Sequence, residues 1–326
     1  MNSDSLGGQV LCGRYKVVET LKPGGMARVY KVVDTTSNRT LALKLPTSSS
    51  NEALAVLAFD RELEALENLQ HPSIVELVDA GRTERQELYL ALEWLPTCLN
   101  EQLIAGNRWT WEEFYVDVGA PLVSALAAAH RRDIAHRDIK PENLRFDEFG
   151  RLKVTDFGIA RITGSSKTKT GMVLGTPSFM SPEQLGGQRV DGRSDLYSLG
   201  VMLFQLLSGV LPLRGDSMAA LMYQIANTPA PSVRELRPEL PQDLADILAK
   251  TLAKSPSERY QTGAEIAAAL RAVQGTPMAA TDTPQAFQRT QVMNAQRDES
   301  AMLATVVTPP PVSSTESQNS GFDIRL

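Results

Sequence analysis

The stretch that most restricts the fold of this chain runs from residue 134 to 158 and reads IAHRDIKPENLRFDEFGRLKVTDFG. Two segments of alternating side chains, Asn143-Leu144-Arg145-Phe146 and Leu152-Lys153-Val154-Thr155, flank an acidic turn that ends in Gly150. Alternation around a glycine-containing turn predicts a β-hairpin. A loop carrying Asp138, Lys140 and Pro141 leads into it, and Asp156 follows its second strand. One hairpin therefore presents two carboxylates and the Asn143 amide close together. Those are the oxygen ligands that a metal–phosphate site requires.

Size and composition allow one large or two medium domains: 326 residues, 42% apolar and 22% charged. A net charge of −5 offers no basic surface for nucleic acid, and none is expected as a partner. Cys12 and Cys98 lie far apart without metal-ligand spacing, as in a reduced cytosolic chain. Residues 1–9 lack the basic and apolar regions of a secretory signal. No apolar run approaches the roughly 18 residues of a membrane span. The expectation is a soluble, cytoplasmic protein without a membrane partner.

Residues 15–21 and 28–33 read as strands around the turn Lys22-Pro23-Gly24-Gly25-Met26-Ala27, a hairpin whose backbone can lie over phosphates. An ordinary hairpin reads the same way. Residues 40–45 form a third strand with Lys44 set among apolar residues. Ser49 with Glu52 makes a capping box for a helix reaching Leu69. Its apolar stripe is Val56, Phe59, Leu63, Leu66 and Leu69, with Asp60, Arg61 and Glu64 facing away. Glu62 falls on the apolar face, where a carboxylate is costly unless a cation or hydrogen bond meets it. Lys44 is the natural candidate. Two more strands follow around 76–78 and 88–92. Residues 111–131 predict one long Ala-rich helix, with His130 as a surface or capping residue. A helix opening at Asp195 and running through Leu207 is apolar almost all round and belongs in a core. Helical segments at 219–226, 243–253 and 263–273 complete the set. Residues 275–326 are rich in Pro, Thr, Ser and Gln and predict disorder.

His136-Arg137-Asp138, with Lys140 and Asn143 at set offsets and then Asp156-Phe157-Gly158, resembles the catalytic core of eukaryotic-type serine/threonine protein kinases, the bacterial members in particular. The resemblance implies an α+β, bilobal fold: a small antiparallel β-sheet lobe with one helix (15–95) and a larger, mostly helical lobe (96–273). An extension (1–14) and a tail (274–326) would flank that domain. It further implies transfer of the ATP γ-phosphoryl group to Ser or Thr of protein substrates. Asp138 orients the acceptor hydroxyl and takes its proton, while Lys140 meets charge on the phosphoryl group. Asn143 and Asp156 hold Mg²⁺, with Mn²⁺ as an alternative. Lys44 contacts the phosphates and pairs with Glu62. Leu21, Gly24, Val29 and Ala42 surround the nucleotide, Glu93 and Leu95 bind adenine through backbone groups, and Leu92 controls the pocket behind it. His136, Leu66 and Phe157 match a stack that ties the lobes together. Thr168 and Thr170 are activation-loop phosphosites facing Arg137, and Thr176 belongs to substrate docking. Glu183 pairs with Arg259, two charges that read equally well as surface residues. Asp195 supports the catalytic loop from below.

Two departures qualify this picture. The three glycine positions of the phosphate loop fall on Lys22, Gly24 and Ala27, so only Gly24 is kept. Arg145 stands where the family places an aliphatic residue beneath adenine; its stem can cover the ring, and it can equally obstruct it. These two residues motivate an alternative, a pseudokinase scaffold with impaired nucleotide binding. A small-molecule phosphotransferase is disfavoured by the Thr-rich segment before Ser181-Pro182-Glu183. Expected partners are protein substrates, a phosphothreonine-binding protein reached through loop or tail, and a second copy in a transient homodimer for autophosphorylation. Thr283, Thr290 and Thr308 are candidate autophosphorylation sites in the tail, which reads equally well as passive.

Overall fold

β-Branched and aromatic residues recur at alternate positions in the strands of the first sheet, as such residues suit a pleated, half-buried surface. The computed structural model describes residues 7–21, 27–46, 52–84, 86–104, 111–157 and 177–273. Its first sheet holds β1 (Val10–Leu11), β2 (Tyr15–Thr20), β3 (Ala27–Asp34), β4 (Thr40–Pro46), β5 (Leu77–Arg82) and β6 (Leu88–Glu93). The order is β1-β2-β3-β4-β6-β5, every pair antiparallel. Tyr15, Val17, Tyr30, Val32, Leu41, Leu43, Tyr89 and Ala91 pack into one cluster. Successive side chains of a strand alternate between faces, so Lys44, next to Leu43, is presented on the other side. There helix α1 (Glu52–Asn68) carries the predicted stripe. Phe59 and Leu66 are buried while Asp60, Arg61 and Glu64 are exposed.

Strand β5 reaches further along the chain than the segment 76–78 foretells. Its polar residue Asp79 accepts hydrogen bonds from the hydroxyls of Tyr15 (2.5 Å) and Tyr89 (3.1 Å), so a carboxylate sits in the strand without being orphaned.

The helical lobe opens with β7 (Thr97–Cys98) and α2 (Leu99–Ile104). The expected single helix at 111–131 is instead α3 (Trp111–Phe114), a π-turn over Tyr115–Gly119, and α4 (Ala120–His130). Pro121 is the physical reason. It has no N–H to give and its ring crowds the preceding turn, which here widens so that Ala120 N–H reaches the Tyr115 carbonyl. Strands β8 (Leu144–Phe146) and β9 (Leu152–Val154) form the predicted hairpin and add β7 to make a second, three-stranded sheet. Asn143 belongs not to the strand but to a 3-10 turn, Pro141–Asn143, ahead of it.

Helices α5 (Pro182–Leu185), α6 (Gly192–Ser208), α7 (Met218–Asn227), α8 (Gln242–Thr251) and α9 (Gly263–Val273) complete the lobe. Helix α6 is buried on nearly all sides. It begins three residues before Asp195, because the Asp191 carboxylate caps it by accepting from Arg193 N–H. It ends at Gly209, whose left-handed backbone (φ 78°) lets its N–H reach the Gln205 carbonyl. Gly192 is needed for close approach: a Cβ there would lie 2.7 Å from the His130 ring. Among the described residues, no helix is long and apolar enough to cross a membrane.

Candidate active site

Strand β4 and helix α1 face each other across one buried charge cluster. Lys44 Nζ donates to Glu62 Oε1 (2.8 Å) and Oε2 (2.7 Å), and to Asp156 Oδ1 (2.6 Å). Glu62 is fully buried and Lys44 nearly so, whereas the Asp156 side chain keeps about a third of its surface open. Burial works against the Lys44 ammonium, but Asp156 and Glu62 outweigh it and hold its pKa above the ordinary lysine range. Burial likewise disfavours the Asp156 carboxylate, and Lys44 more than compensates, leaving Asp156 below the usual carboxylate range. Glu62 goes the other way. Burial, reinforced by Asp156 and opposed by Lys44, pushes it up to about 7.

The catalytic-loop candidates meet at the foot of the hairpin. Asp138 Oδ2 accepts from Lys140 Nζ (2.7 Å) and from Asn143 Nδ2 (3.0 Å). Asn143 also donates to the Asp138 carbonyl (2.7 Å), so the amide holds both backbone and side chain of that residue. Beneath them Asp195 is fully buried and accepts from the backbone N–H of His136 (2.8 Å) and Arg137 (2.6 Å). His130 Nε2 lies 2.8 Å from the same carboxylate. His130 is therefore no surface residue; it completes the Asp195 support, and Gly192 gives it room. His136 places Nε2 at 2.8 Å from the Thr155 carbonyl and its ring edge-on to Phe157, centroids 4.6 Å apart. Leu66 and Phe157 are buried in the same apolar cluster. Arg137 (φ 67°) and Asp156 (φ 61°) both adopt left-handed backbone, at a cost of roughly 1–3 kcal/mol each for non-glycine residues. Arg137 is held there from both sides, since Gln184 Nε2 donates to its carbonyl (2.7 Å).

The segment joining the two sheets is gripped by the hairpin. Lys153 Nζ donates to Glu93 Oε1 (2.7 Å), and Arg145 Nε donates to the Leu95 carbonyl (2.9 Å). Arg145 and Lys153 are register partners, so both present side chains to the same face. Leu21, Val29 and Ala42 are all partly buried, the last two on adjacent strands β3 and β4. The end of the loop after the hairpin is anchored deeper. Arg259 makes a bidentate pair with Glu183, Nη1 to Oε1 at 2.7 Å and Nη2 to Oε2 at 2.8 Å. Both are buried, so neither is a surface charge.

Residues 15–270 match the protein kinase domain. The chain belongs to the protein kinase family. Its kinase domain is of the bacterial serine/threonine type. It is 35% identical over 266 residues to serine/threonine-protein kinase PrkC of Bacillus subtilis, covering 81% of this chain and 41% of that protein. It is 35% identical over 315 residues to serine/threonine-protein kinase PknB of Mycolicibacterium smegmatis, 93% of this chain and 50% of that one. With serine/threonine-protein kinase pkn3 of Myxococcus xanthus the identity is 32% over 284 residues, 83% and 52%. The chain thus spans about half the length, or less, of the curated relatives it matches. Use of ATP with a divalent metal, and of proteins as substrates, is general to the family.

The kinase domain brings Lys44, Glu62 and Asp156 into one contact set, and Asp138, Lys140 and Asn143 into another. Gly24, Thr168, Thr170 and Thr176, like Lys22 and the Ser49 cap, lie outside the described residues. For a metal, the candidates Asn143 and Asp156 offer one amide oxygen and a carboxylate. Among the described residues, no group of three or more His, Cys, Asp or Glu stands ready to hold a metal alone. That donor set fits a magnesium-sized cation that completes its shell with phosphate oxygens and water. His130, Lys153 and Gln184 escape sequence reasoning. Their partners lie 65, 60 and 47 positions away, too far for any local pattern to show them.

Proposed function

We propose that this chain is an active serine/threonine protein kinase that transfers the γ-phosphoryl group of ATP, with Mg²⁺, to Ser or Thr of protein substrates. The carrying observation is the Lys44 ammonium engaged at once by Glu62 and Asp156, which requires strand, helix and hairpin to be in working register. Lys44, kept protonated by those carboxylates, is suited to bind the α- and β-phosphates. Asp138, fixed by Asn143 and Lys140, orients the incoming hydroxyl and accepts its proton; Lys140 then faces the charge on the transferred group. A divalent cation bound by Asn143 and Asp156 would neutralise phosphate charge, and Mn²⁺ can take the same oxygens. Val29 and Ala42 enclose the base with Leu21, and Glu93 and Leu95 bind it through backbone groups.

Thr168 and Thr170 are the activation-loop phosphosites in this reading, and Thr176 helps seat the substrate. Arg137 supports the loop assignment, because its Nε is buried without a hydrogen-bond partner among the described residues. A phosphothreonine brings about −1.5 to −2 charge and three acceptors to such an arginine. Autophosphorylation would proceed in a transient homodimer, and the phosphothreonines would recruit a binding partner. The chain would act in the cytoplasm.

Transfer of radiolabel from ATP to the protein itself or to a generic acceptor tests the reading. Asp138→Ala should lower the rate by about 10²–10⁴-fold, as loss of a general base does. Equal labelling by wild type and that variant would overturn it. Calorimetry showing no MgATP binding at millimolar nucleotide would favour the scaffold alternative instead.

A further inference from the structure

Arg145 is the residue in which this kinase domain departs most from an apolar pocket floor, and its hydrogen bond gives that departure a consequence. Its Nε–H donates to the carbonyl of Leu95 at 2.9 Å, while the rest of the side chain is half-buried. Leu95 precedes Pro96, which biases it towards extended backbone. In extended backbone the N–H and C=O of one residue project from the same edge, which is why antiparallel partners exchange both bonds. A purine that accepts from Leu95 N–H through ring nitrogen N1 therefore sets its neighbouring position, carbon 2, before the Leu95 carbonyl. Adenine carries only hydrogen there. A 2-amino purine brings a second donor to an oxygen that the Arg145 guanidinium already engages. The oxygen has two lone pairs, so the discrimination comes from the cation beside the amino group, which repels a like-polarised N–H.

We infer that Arg145 is a specificity-determining residue of the nucleotide pocket, discriminating against purines with a 2-amino group by engaging the Leu95 carbonyl. The inference rests on the proposed function, since it takes Leu95 as a base contact. Lys153 strengthens the geometry. It clamps Glu93 from the same face of the hairpin (2.7 Å), so the segment carrying Leu95 cannot readily swing away to free its carbonyl. Arg145 acts here through Leu95 and needs no contact with the reacting atoms.

The test is direct binding by the full chain of ATP and of 2-amino-ATP, the 2,6-diaminopurine analogue, each with Mg²⁺. Wild type should bind ATP about tenfold more tightly than the analogue, the size of one net hydrogen bond lost. In Arg145→Leu the ratio of the two dissociation constants should fall to about one, because the carbonyl is released to accept from the 2-amino group. Arg145→Met, which retains a long unbranched stem, should do the same and serves if the leucine variant does not fold. A ratio near one in wild type, or one unchanged in both folded variants while ATP still binds, overturns the inference and leaves the proposed function standing. Failure of wild type to bind either nucleotide overturns both.

Discussion

Two buried ion pairs in this domain are built on different charge balances. Arg259 spends its donors completely. It makes two bonds to Glu183 and one each to the carbonyls of Ala253, Arg193 and Lys254, which matches its five N–H groups. One cation faces one carboxylate, with Ser194 adding a hydroxyl donor to Glu183 at 2.5 Å. Burial alone would raise Glu183, but Arg259 and Ser194 prevail and hold it below the ordinary glutamate range. At Lys44, one ammonium faces two carboxylates. The surplus negative charge shows in Glu62, which burial pushes up to about 7. A balanced buried pair fixes structure. An unbalanced one, open to solvent at Asp156, has capacity left for an additional cation.

The largest expected effect breaks the balanced pair. Arg259→Ala leaves Glu183 buried and uncompensated and should cost about 3–5 kcal/mol in chemical denaturation. A loss under 1 kcal/mol would mean that the pair is solvated. Lys44→Ala should behave in the opposite way. Transfer should fall by roughly 10²–10³-fold, as for loss of one charge-stabilising group. Stability should fall by only about 1–2 kcal/mol near pH 6, since Glu62 can take a proton instead. Equal destabilisation by the two variants would erase the distinction drawn between the sites.

The most gradual effect is the pH dependence, where the two carboxylates carry opposite signs. Unfolded Glu62 releases its proton near 4.5, whereas the folded residue holds it to about 7. Between those values the folded state binds more protons, so the contribution of Glu62 falls as pH rises, by at most about 1.4 kcal/mol per pH unit. Glu183 is depressed below its ordinary 4.5, so its contribution is present above that value and is lost as pH falls through the lowered pKa. Denaturation measured across pH should show Glu62→Gln removing the decline between 4.5 and 7. Glu183→Gln should remove the acid-side loss. The reverse assignment would refute the charge balance described here.

Much of the candidate site is legible in the sequence alone, and the reason is local. Asp138, Lys140, Asn143 and Asp156 fall within nineteen consecutive residues. The hairpin that brings them together is set by alternation and a turn, both short-range signals. Glu62 was legible for a different reason: a carboxylate on an apolar helix face demands a partner. Polar residues that satisfy one another across long separations left no such trace. Asp79 within β5, His130 beneath Asp195 and Gln184 on the Arg137 carbonyl all belong to that class. The π-turn ahead of Pro121 was hidden too, because helical periodicity continues through it.

By itself, the sequence determined which elements form and which chemical groups are available, since both follow from spacing and residue type. Tertiary structure decided how charge is shared. That Lys44 serves two carboxylates while Arg259 serves one depends on which surfaces pack together. So does the fate of Arg145, whose chemistry in the sequence allowed either an obstructing cation or a covering stem. Its guanidinium is bound to the Leu95 carbonyl because the hairpin lies directly against the segment between the sheets. Only packing across fifty residues could make that choice.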